Sequence, residues 1–380
     1  MIYESNTNTI IVRPGQVTTL QAVGRALGRP AALRELSPGE WLLGANLRVE
    51  KGAAIRIAGP EVRWLKLRSE PGSYAWIKVL GGRIEFSNTR LTSWDTVSDQ
   101  VDEDSSDGRS FVLARDGAQM DIRDSEMSYL GYDAFESYGV AWRLAGTSGD
   151  IENSRFGYNF YGLYAYEASD LIIRGNEVDH SVRYGIDPHT RANRLLIEGN
   201  RSHHNGKHGI ILAEECNDSI IRNNVVWANA LHGIVLYQGS NRNLVEDNTA
   251  YENGQQGINV NDSSQNVIRH NVTYENAEAG IGLGQDANNN SIAGNEVYRN
   301  PDGITLYSGA SGNELWDNKV HDNARYGIQV KSEGNTIAAG NEVFSNGVGV
   351  YLDVDQLPAV SRQTNRIARN READVQARTR

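Results

Sequence analysis

Residues Asn205–Tyr237 read NGKHGIILAEECNDSIIRNNVVWANALHGIVLY, and the HGII that begins at His208 returns as HGIV at His232. A glycine followed by an aliphatic residue recurs every 23 or 24 residues, at Gly139, Gly162, Gly185, Gly209, Gly233, Gly257, Gly280, Gly303 and Gly327. The apolar residue after each glycine alternates with variable ones, which predicts a short strand with one buried face.

Each repeat also carries two asparagines at fixed positions. One series is Asn176, Asn200, Asn224, Asn248, Asn271, Asn295, Asn318 and Asn341, and the other is Asn205, Asn229, Asn253, Asn276, Asn300, Asn323 and Asn346. An amide that recurs once per coil can hydrogen-bond to its copy in the next coil, and asparagine tolerates a sharp corner. Glycine and asparagine interrupt any helical period. The sequence therefore predicts an all-β chain, folded as a single-stranded right-handed parallel β-helix, a solenoid.

The two ends of the chain depart from this repeat. Residues 1–60 are predicted to form an N-terminal cap and the first strands, with a short amphipathic capping helix at Val17–Leu27 that covers the open end. Residues 61–355 are predicted to form the β-helix catalytic domain. Residues 356–380 are predicted to form a degenerate last coil and a polar tail.

An acidic insertion, Ser93–Arg109, interrupts the early coils. Its Asp102, Asp104 and Asp107 weakly resemble a calcium loop, but the glutamate expected at the end of such a loop is missing. A solvated loop is the favoured interpretation, and Ca²⁺ stays an open alternative. No motif requires another metal or a cofactor.

The bulk composition limits the partners. The net charge of the 380 residues is −11, which disfavours nucleic acid and anionic membranes as partners. No apolar stretch approaches the ~20 residues that span a bilayer. The first residues lack the pattern of a signal peptide, so a periplasmic or secreted location would require a signal peptide that has been removed. A monomer is expected.

The repeat predicts which side chains share the outer face of one sheet. Because coils lie about 4.8 Å apart, the predicted cluster comprises Arg143, Tyr161, Tyr164, Tyr166, Tyr184, Asp187, His189 and His208. Flat tyrosine rings suit sugar rings, and guanidinium groups suit sugar carboxylates. This face is therefore predicted to bind an acidic polysaccharide.

The stretch YGIDPHTR, Tyr184–Arg191, resembles the Asp-Pro-His motif of the mannuronan C5-epimerases, which convert β-D-mannuronate to α-L-guluronate in alginate. Further likeness, at Leu42–Ala53, Tyr158–Ala168 and Lys207–Ile211, is to the periplasmic bacterial type. The resemblance implies C5-epimerisation of alginate or polymannuronate. It assigns catalytic roles to His189 as the proposed base, Asp187 from the motif, Tyr184 as the partner acid or base, and Glu214.

Glu214 stands where the periplasmic enzymes have an arginine thought to neutralise the substrate carboxylate, so that role is open here. The candidates are Arg143, Arg183, Arg191 and Lys207. The tyrosines expected to form sugar subsites are Tyr161, Tyr164, Tyr166 and Tyr237, with His208 beside them.

Two other functions stay open. The intermediate formed by removing the C5 proton can expel the 4-linked sugar, so an alginate or polyuronate lyase acting by β-elimination is the runner-up. A non-catalytic polysaccharide-binding β-helix is the third hypothesis, because this fold also occurs in adhesins and tailspikes.

Overall fold

The structure is a computed structural model that describes residues 1–354 and 364–378. It divides into an N-terminal unit, Met1–Leu196, and a C-terminal unit, Ile197–Arg380. In both units three parallel sheets wind around an aliphatic core, which confirms the predicted parallel β-helix. The division into cap, catalytic domain and tail stays a prediction; within it, residues 355–363 and 379–380 lie outside the described residues.

The N-terminal unit contains the helix Leu20–Leu27 and three sets of strands. The first sheet contains Ile2–Glu4, Thr9–Val12, Asn46–Val49, Trp76–Leu80, Phe111–Arg115, Gly139–Arg143, Tyr161–Tyr166 and Ile186–His189. The second contains Val17–Thr19, Ala54–Ala58, Arg83–Ser87, Gln119–Arg123, Asp150–Glu152 and Ile172–Arg174. The third contains Leu33–Ser37, Glu40–Leu43, Trp64–Glu70, Ser73–Tyr74, Arg90–Asp95, Gln100–Val101, Glu126–Ser128, Arg155–Gly157 and Glu177–Asp179. The boundary between the units falls within the strand Leu196–Glu198.

The C-terminal unit repeats the same arrangement. Its first sheet contains Ile210–Ala213, Ile234–Tyr237, Ile258–Asn261, Ala279–Gly284, Asp302–Leu306, Tyr326–Val330, Val348–Leu352 and Ala373–Ala377. Its second contains Ile220–Arg222, Leu244–Glu246, Val267–Arg269, Ser291–Ala293, Glu314–Trp316 and Thr336–Ile337. Its third contains Arg201–His203, Val225–Trp227, Thr249–Tyr251, Val272–Tyr274, Glu296–Tyr298, Lys319–His321, Glu342–Phe344 and Arg366–Ile367.

The capping helix begins three residues later than the sequence predicts. Val17–Thr19 instead pairs with Ala54–Arg56 as a strand, and Thr19 then caps the helix by accepting a hydrogen bond from the Ala22 N–H at 3.2 Å. The helix ends at Gly28, whose φ of 58° is the left-handed conformation that glycine adopts without strain. Among the described residues no helix is long and apolar enough to cross a membrane.

The aliphatic residue after each repeat glycine lies inside the coil, as predicted. In the C-terminal unit Ile210, Ile234 and Ile258 pair in register from strand to strand, and all three are fully buried. Burying an isoleucine side chain contributes about 1.5–3 kcal/mol, so this column stabilises the stacking of neighbouring coils.

The asparagine ladders form as predicted, and a further one was missed. Nδ2 of Asn224 donates to Oδ1 of Asn248 at 2.9 Å, and Nδ2 of Asn229 donates to Oδ1 of Asn253 at 3.0 Å. The additional ladder contains Asn243, Asn266, Asn290, Asn313 and Asn335. Its residues are nearly fully buried, so these amides satisfy backbone groups that water cannot reach.

Candidate functional site

The Asp-Pro-His motif lies on the strand Ile186–His189 of the first sheet. This strand pairs with Tyr161–Tyr166, so that Tyr164 lies opposite Asp187 and Tyr166 opposite His189. The pairing of these residues predicted from the repeat is therefore confirmed. Asp187 is fully buried, whereas His189 is half-buried, and His189 Nδ1 lies 2.8 Å from the Thr190 hydroxyl oxygen.

Tyrosine rings in contact with one another form a continuous wall beside Asp187 and His189. The ring centroids of Tyr138 and Tyr164 are 4.8 Å apart, those of Tyr161 and Tyr184 are 5.6 Å apart, and the Tyr164 ring is 6.1 Å from that of His189. Tyr164 is only 7% exposed, so it forms the floor beneath the other rings and offers little surface to a ligand. Tyr161 and Tyr184 are half-buried and present more surface.

Burial and charge act together on the phenols. Burial raises the pKa of Tyr161 and of Tyr164, and the nearby Asp187 carboxylate raises both further. Arg143 opposes this effect at Tyr164. Both phenols therefore stay protonated at neutral pH, and that of the half-buried Tyr161 can donate a hydrogen bond to a sugar.

Arg143 is held by aromatic rings. Its guanidinium carbon lies 4.6 Å from the Phe135 ring centroid and 4.4 Å from that of Tyr166, and the residue is 5% exposed. Its Nε is buried without a hydrogen-bond partner, and within the described residues no carboxylate forms an ion pair with it. Arg143 pairs in register with Tyr166, which pairs with His189, so these three residues form one row. Arg143 therefore gives this row a cation, and no described acidic side chain forms an ion pair with it.

The other predicted cations of this unit are already paired. Arg183 Nη2 lies 3.4 Å from Asp133 Oδ2, and its partly exposed guanidinium is 5.7 Å from the Phe160 ring centroid. Arg191 forms an ion pair with Glu167. A substrate carboxylate would have to compete with these partners.

The sequence missed a second basic group on the same face. Lys78 Nζ lies 3.6 Å from Glu136, which also pairs with Arg115. Arg115 is in register with Arg143, so it belongs to the same outward column. The early coils are longer than the 23-residue repeat, and a fixed spacing therefore could not reveal this alignment.

Four predicted site residues belong to the C-terminal unit. Tyr237 is 42% exposed, and its carbonyl accepts a hydrogen bond from the Glu214 N–H at 3.1 Å. The His208 ring stacks on that of His232 at 5.0 Å, and burial lowers the pKa of His208 to about 3, helped by the charges of His232 and Lys207. His208 is therefore neutral at physiological pH. That Lys207, His208, Glu214 and Tyr237 contribute to the site stays a prediction.

The acidic insertion Ser93–Arg109 makes more hydrogen bonds to the rest of the protein than a fully solvated loop would make. Asp102 accepts a hydrogen bond from the Ser69 hydroxyl at 2.6 Å. Arg109 is 1% exposed and donates to the carbonyls of Gly131 at 3.0 Å and Tyr158 at 3.1 Å. The expectation of a wholly solvated loop was therefore wrong at Arg109. Across residues 1–354 and 364–378, no group of three or more His, Cys, Asp or Glu is arranged to hold a metal ion, and calcium stays an untested alternative.

Family comparison identifies the architecture. Residues 81–250 and 221–362 match the family described as right handed beta helix region. The chain belongs to this β-helix family. A crystal structure of a mutant of the periplasmic alginate epimerase AlgG is similar to this β-helix with a TM-score of 0.77 and 25% identity, over 97% of this chain and 85% of that chain.

The curated relatives belong to the same enzyme family that the Asp-Pro-His motif resembles. The mannuronan C5-epimerase of Pseudomonas aeruginosa is 31% identical over 199 residues, which cover 49% of this β-helix and 35% of the relative. The mannuronan C5-epimerase AlgG of Azotobacter vinelandii is 31% identical over 173 residues, covering 42% and 32%. The chain spans about a third of the length of the curated relatives it matches. The resemblance stated from the motif is thus confirmed.

Proposed function

We propose that this β-helix epimerises C5 of β-D-mannuronate residues in alginate or polymannuronate, giving α-L-guluronate. The observation that carries the proposal is one row of side chains, Arg143, Tyr166 and His189, in register on three neighbouring strands. Asp187 lies next to that row beneath the tyrosine wall. The relatives named mannuronan C5-epimerase and the solved alginate epimerase AlgG support the same substrate.

The chemistry explains why such a row suits a uronate. The C5 proton lies next to a carboxylate, and its removal adds a second negative charge to that part of the sugar. A nearby cation must offset this charge, because an unneutralised dianion is too high in energy. Inversion then needs a base on one face of the ring and an acid on the other.

We assign the neutralising role to Arg143. It is buried and lacks a described carboxylate partner, whereas Arg183 and Arg191 already pair with Asp133 and Glu167. The rings of Phe135 and Tyr166 shield the guanidinium from water, which strengthens its attraction for a carboxylate. The substrate carboxylate would reach it by displacing the exposed Phe135 ring.

His189 and Tyr184 are the proposed acid–base pair. When Nδ1–H of His189 donates to the Thr190 hydroxyl, the Nε2 lone pair is the one that can accept a proton. The nearby negative charge of Asp187 favours the imidazolium that forms after proton abstraction. Tyr184 would return a proton from the opposite face of the ring, or the two residues would act in the reverse order.

No electrons are transferred in this reaction, so we propose that it needs no redox cofactor. We also propose that the protein is monomeric and periplasmic; the structurally similar AlgG, a periplasmic alginate epimerase, supports the location. Cell fractionation and light scattering test these two points, and dialysis against a chelator tests whether calcium is required.

The test is proton NMR of polymannuronate incubated with the protein in D₂O. Epimerisation predicts guluronate signals with deuterium at C5 and no rise in ultraviolet absorbance. A rise in absorbance from unsaturated ends would instead indicate the lyase, and binding without any new signal would indicate a non-catalytic binder. Either result would contradict the proposal.

Two variants and two matched controls assign the roles. His189→Ala should lower the rate about 10²–10⁴-fold, the usual contribution of a general acid or base. Arg143→Met should lower it about 10²–10³-fold by removing the neutralising charge. The controls His270→Ala and Arg174→Met, both at partly exposed side chains away from the row, should retain full activity.

A further inference from the structure

The first sheet of the C-terminal unit carries an open pocket of about 590 Å³ that the proposed mechanism does not use. We call it the lysine pocket. Its lining residues used below are Gln256, Asn259, Glu278, Gly284, Tyr307 and Lys331. They come from neighbouring strands and from the segments before and after them. Asn259 on one strand pairs in register with Gly282 on the next. The volume is within the range of about 300–1,000 Å³ typical of small-molecule sites.

The polar groups of the lysine pocket are already ordered. Nε2 of Gln256 donates to the Tyr307 hydroxyl at 3.1 Å, and Oε1 of Gln256 accepts a hydrogen bond from Asn259. Gln256 is 5% exposed and Asn259 is 9% exposed, so this chain of hydrogen bonds is buried and is formed without a ligand. The Tyr307 oxygen accepts from Gln256, which leaves its own O–H as a donor to a ligand.

Glycine at position 282 makes room for the Gln256 side chain. A Cβ at position 282 would lie 2.6 Å from the amide of Gln256, so only glycine lets that side chain lie flat over the sheet. A Cβ at Gly284 would lie 3.6 Å from the Cβ of Tyr307, an ordinary van der Waals contact, so glycine is not required at that position.

Lys331 supplies the charge. Its ammonium lies 5.2 Å from the centroid of the Tyr307 ring, and among the described residues no carboxylate forms an ion pair with it. An ammonium beside an aromatic face, with amides and the carboxylate of Glu278 nearby, matches a sugar ring that carries both a carboxylate and hydroxyl groups.

We propose that the lysine pocket is a second, non-reacting binding site for a uronate residue of the polymer. Lys331 binds the sugar carboxylate, Tyr307 contacts the ring, and Gln256, Asn259 and Glu278 bind hydroxyl groups. This inference rests on the proposed function for the identity of the polymer.

A fluorescent label placed in the pocket tests the inference directly. Cys216 is fully buried, so a cysteine introduced at exposed Ser308 can be labelled selectively with an environment-sensitive dye. The labelled protein carries His189→Ala to prevent turnover and is titrated with a mannuronate hexamer. Mannohexaose, which lacks carboxylates, is the neutral comparison.

The expected result is a saturable response to the mannuronate hexamer and a much weaker response to mannohexaose. Lys331→Ala should raise the Kd of the hexamer about tenfold, because one charge-assisted contact is lost. Gly282→Ala should weaken binding by displacing Gln256. Lys319→Ala is the matched control, because it removes the same charge from a different sheet, where Lys319 pairs with Glu296, and it should leave the Kd unchanged.

An unchanged Kd in Lys331→Ala, equal binding of the neutral hexamer, or no response to either sugar would overturn the inference. None of these outcomes depends on whether the wild-type protein forms guluronate. Failure of the lysine pocket and failure of the proposed epimerase activity are therefore separate results.

Discussion

Asn248 is the best position at which to test what the asparagine ladder contributes to stability. Its Oδ1 accepts from both the backbone N–H and the Nδ2 of Asn224, each at 2.9 Å. Its Nδ2 donates to the Ile221 carbonyl at 2.9 Å and to Oδ1 of Asn271 at 3.0 Å. The side chain is 1% exposed, so water cannot replace these four bonds.

Asn248→Ala should lower the free energy of unfolding by about 4–6 kcal/mol. The substitution removes the acceptor of a buried backbone N–H, which costs about 1–3 kcal/mol, and each further bond lost costs about 1 kcal/mol. Asn248→Ser should cost less, because the serine hydroxyl can accept the same N–H. The chain already uses serine in this way: the Ser125 N–H donates to the Ser154 hydroxyl at 3.1 Å.

Urea unfolding followed by circular dichroism measures these differences, and hydrogen exchange at the Asn224 amide reports the local effect. Asp247→Asn, an exposed change in the same turn, is the control and should change the unfolding free energy by less than about 0.5 kcal/mol. The reasoning is refuted if Asn248→Ala destabilises the protein no more than this control.

Three further predictions concern other parts of the chain. Arg109→Met should cost about 3–5 kcal/mol in thermal unfolding, because Arg109 donates to four backbone carbonyls; a loss below about 1 kcal/mol would contradict this. Burial lowers the pKa of His232 from 6.5 to about 4, so the unfolded chain takes up a proton first as pH falls. The folded protein therefore loses stability as the pH falls from about 6.5 to 4. In urea unfolding at pH 7 and 4.5, His232→Gln should lose less unfolding free energy than the wild type. Equal losses in the two proteins would contradict this prediction. Glu136→Gln should raise the KM for polymannuronate in the NMR assay with little change in kcat. The reason is that Glu136 pairs with Lys78 and Arg115 and so anchors the segment that places Phe135 over Arg143. An unchanged KM would show that this anchoring does not contribute to substrate binding.

The sequence alone determined the coil and its register. In a β-helix, residues one repeat apart are neighbours in space, so spacing along the chain translates directly into contact. This is why the pairing of Tyr164 with Asp187, and of Tyr166 with His189, could be predicted from the spacing of the repeat. The same reasoning predicted the two asparagine ladders.

Only the tertiary structure decided how deeply each outward residue is buried. The repeat predicts which face a side chain takes, but irregular segments that pack onto that face have no period. One such segment places Phe135 over Arg143, and ring packing places Tyr164 beneath Tyr138 and Tyr161. Burial and ion pairing depend on residues that are distant in sequence. The repeat therefore could not predict that Arg143, among the candidate cations, is buried against aromatic rings without a described acidic partner.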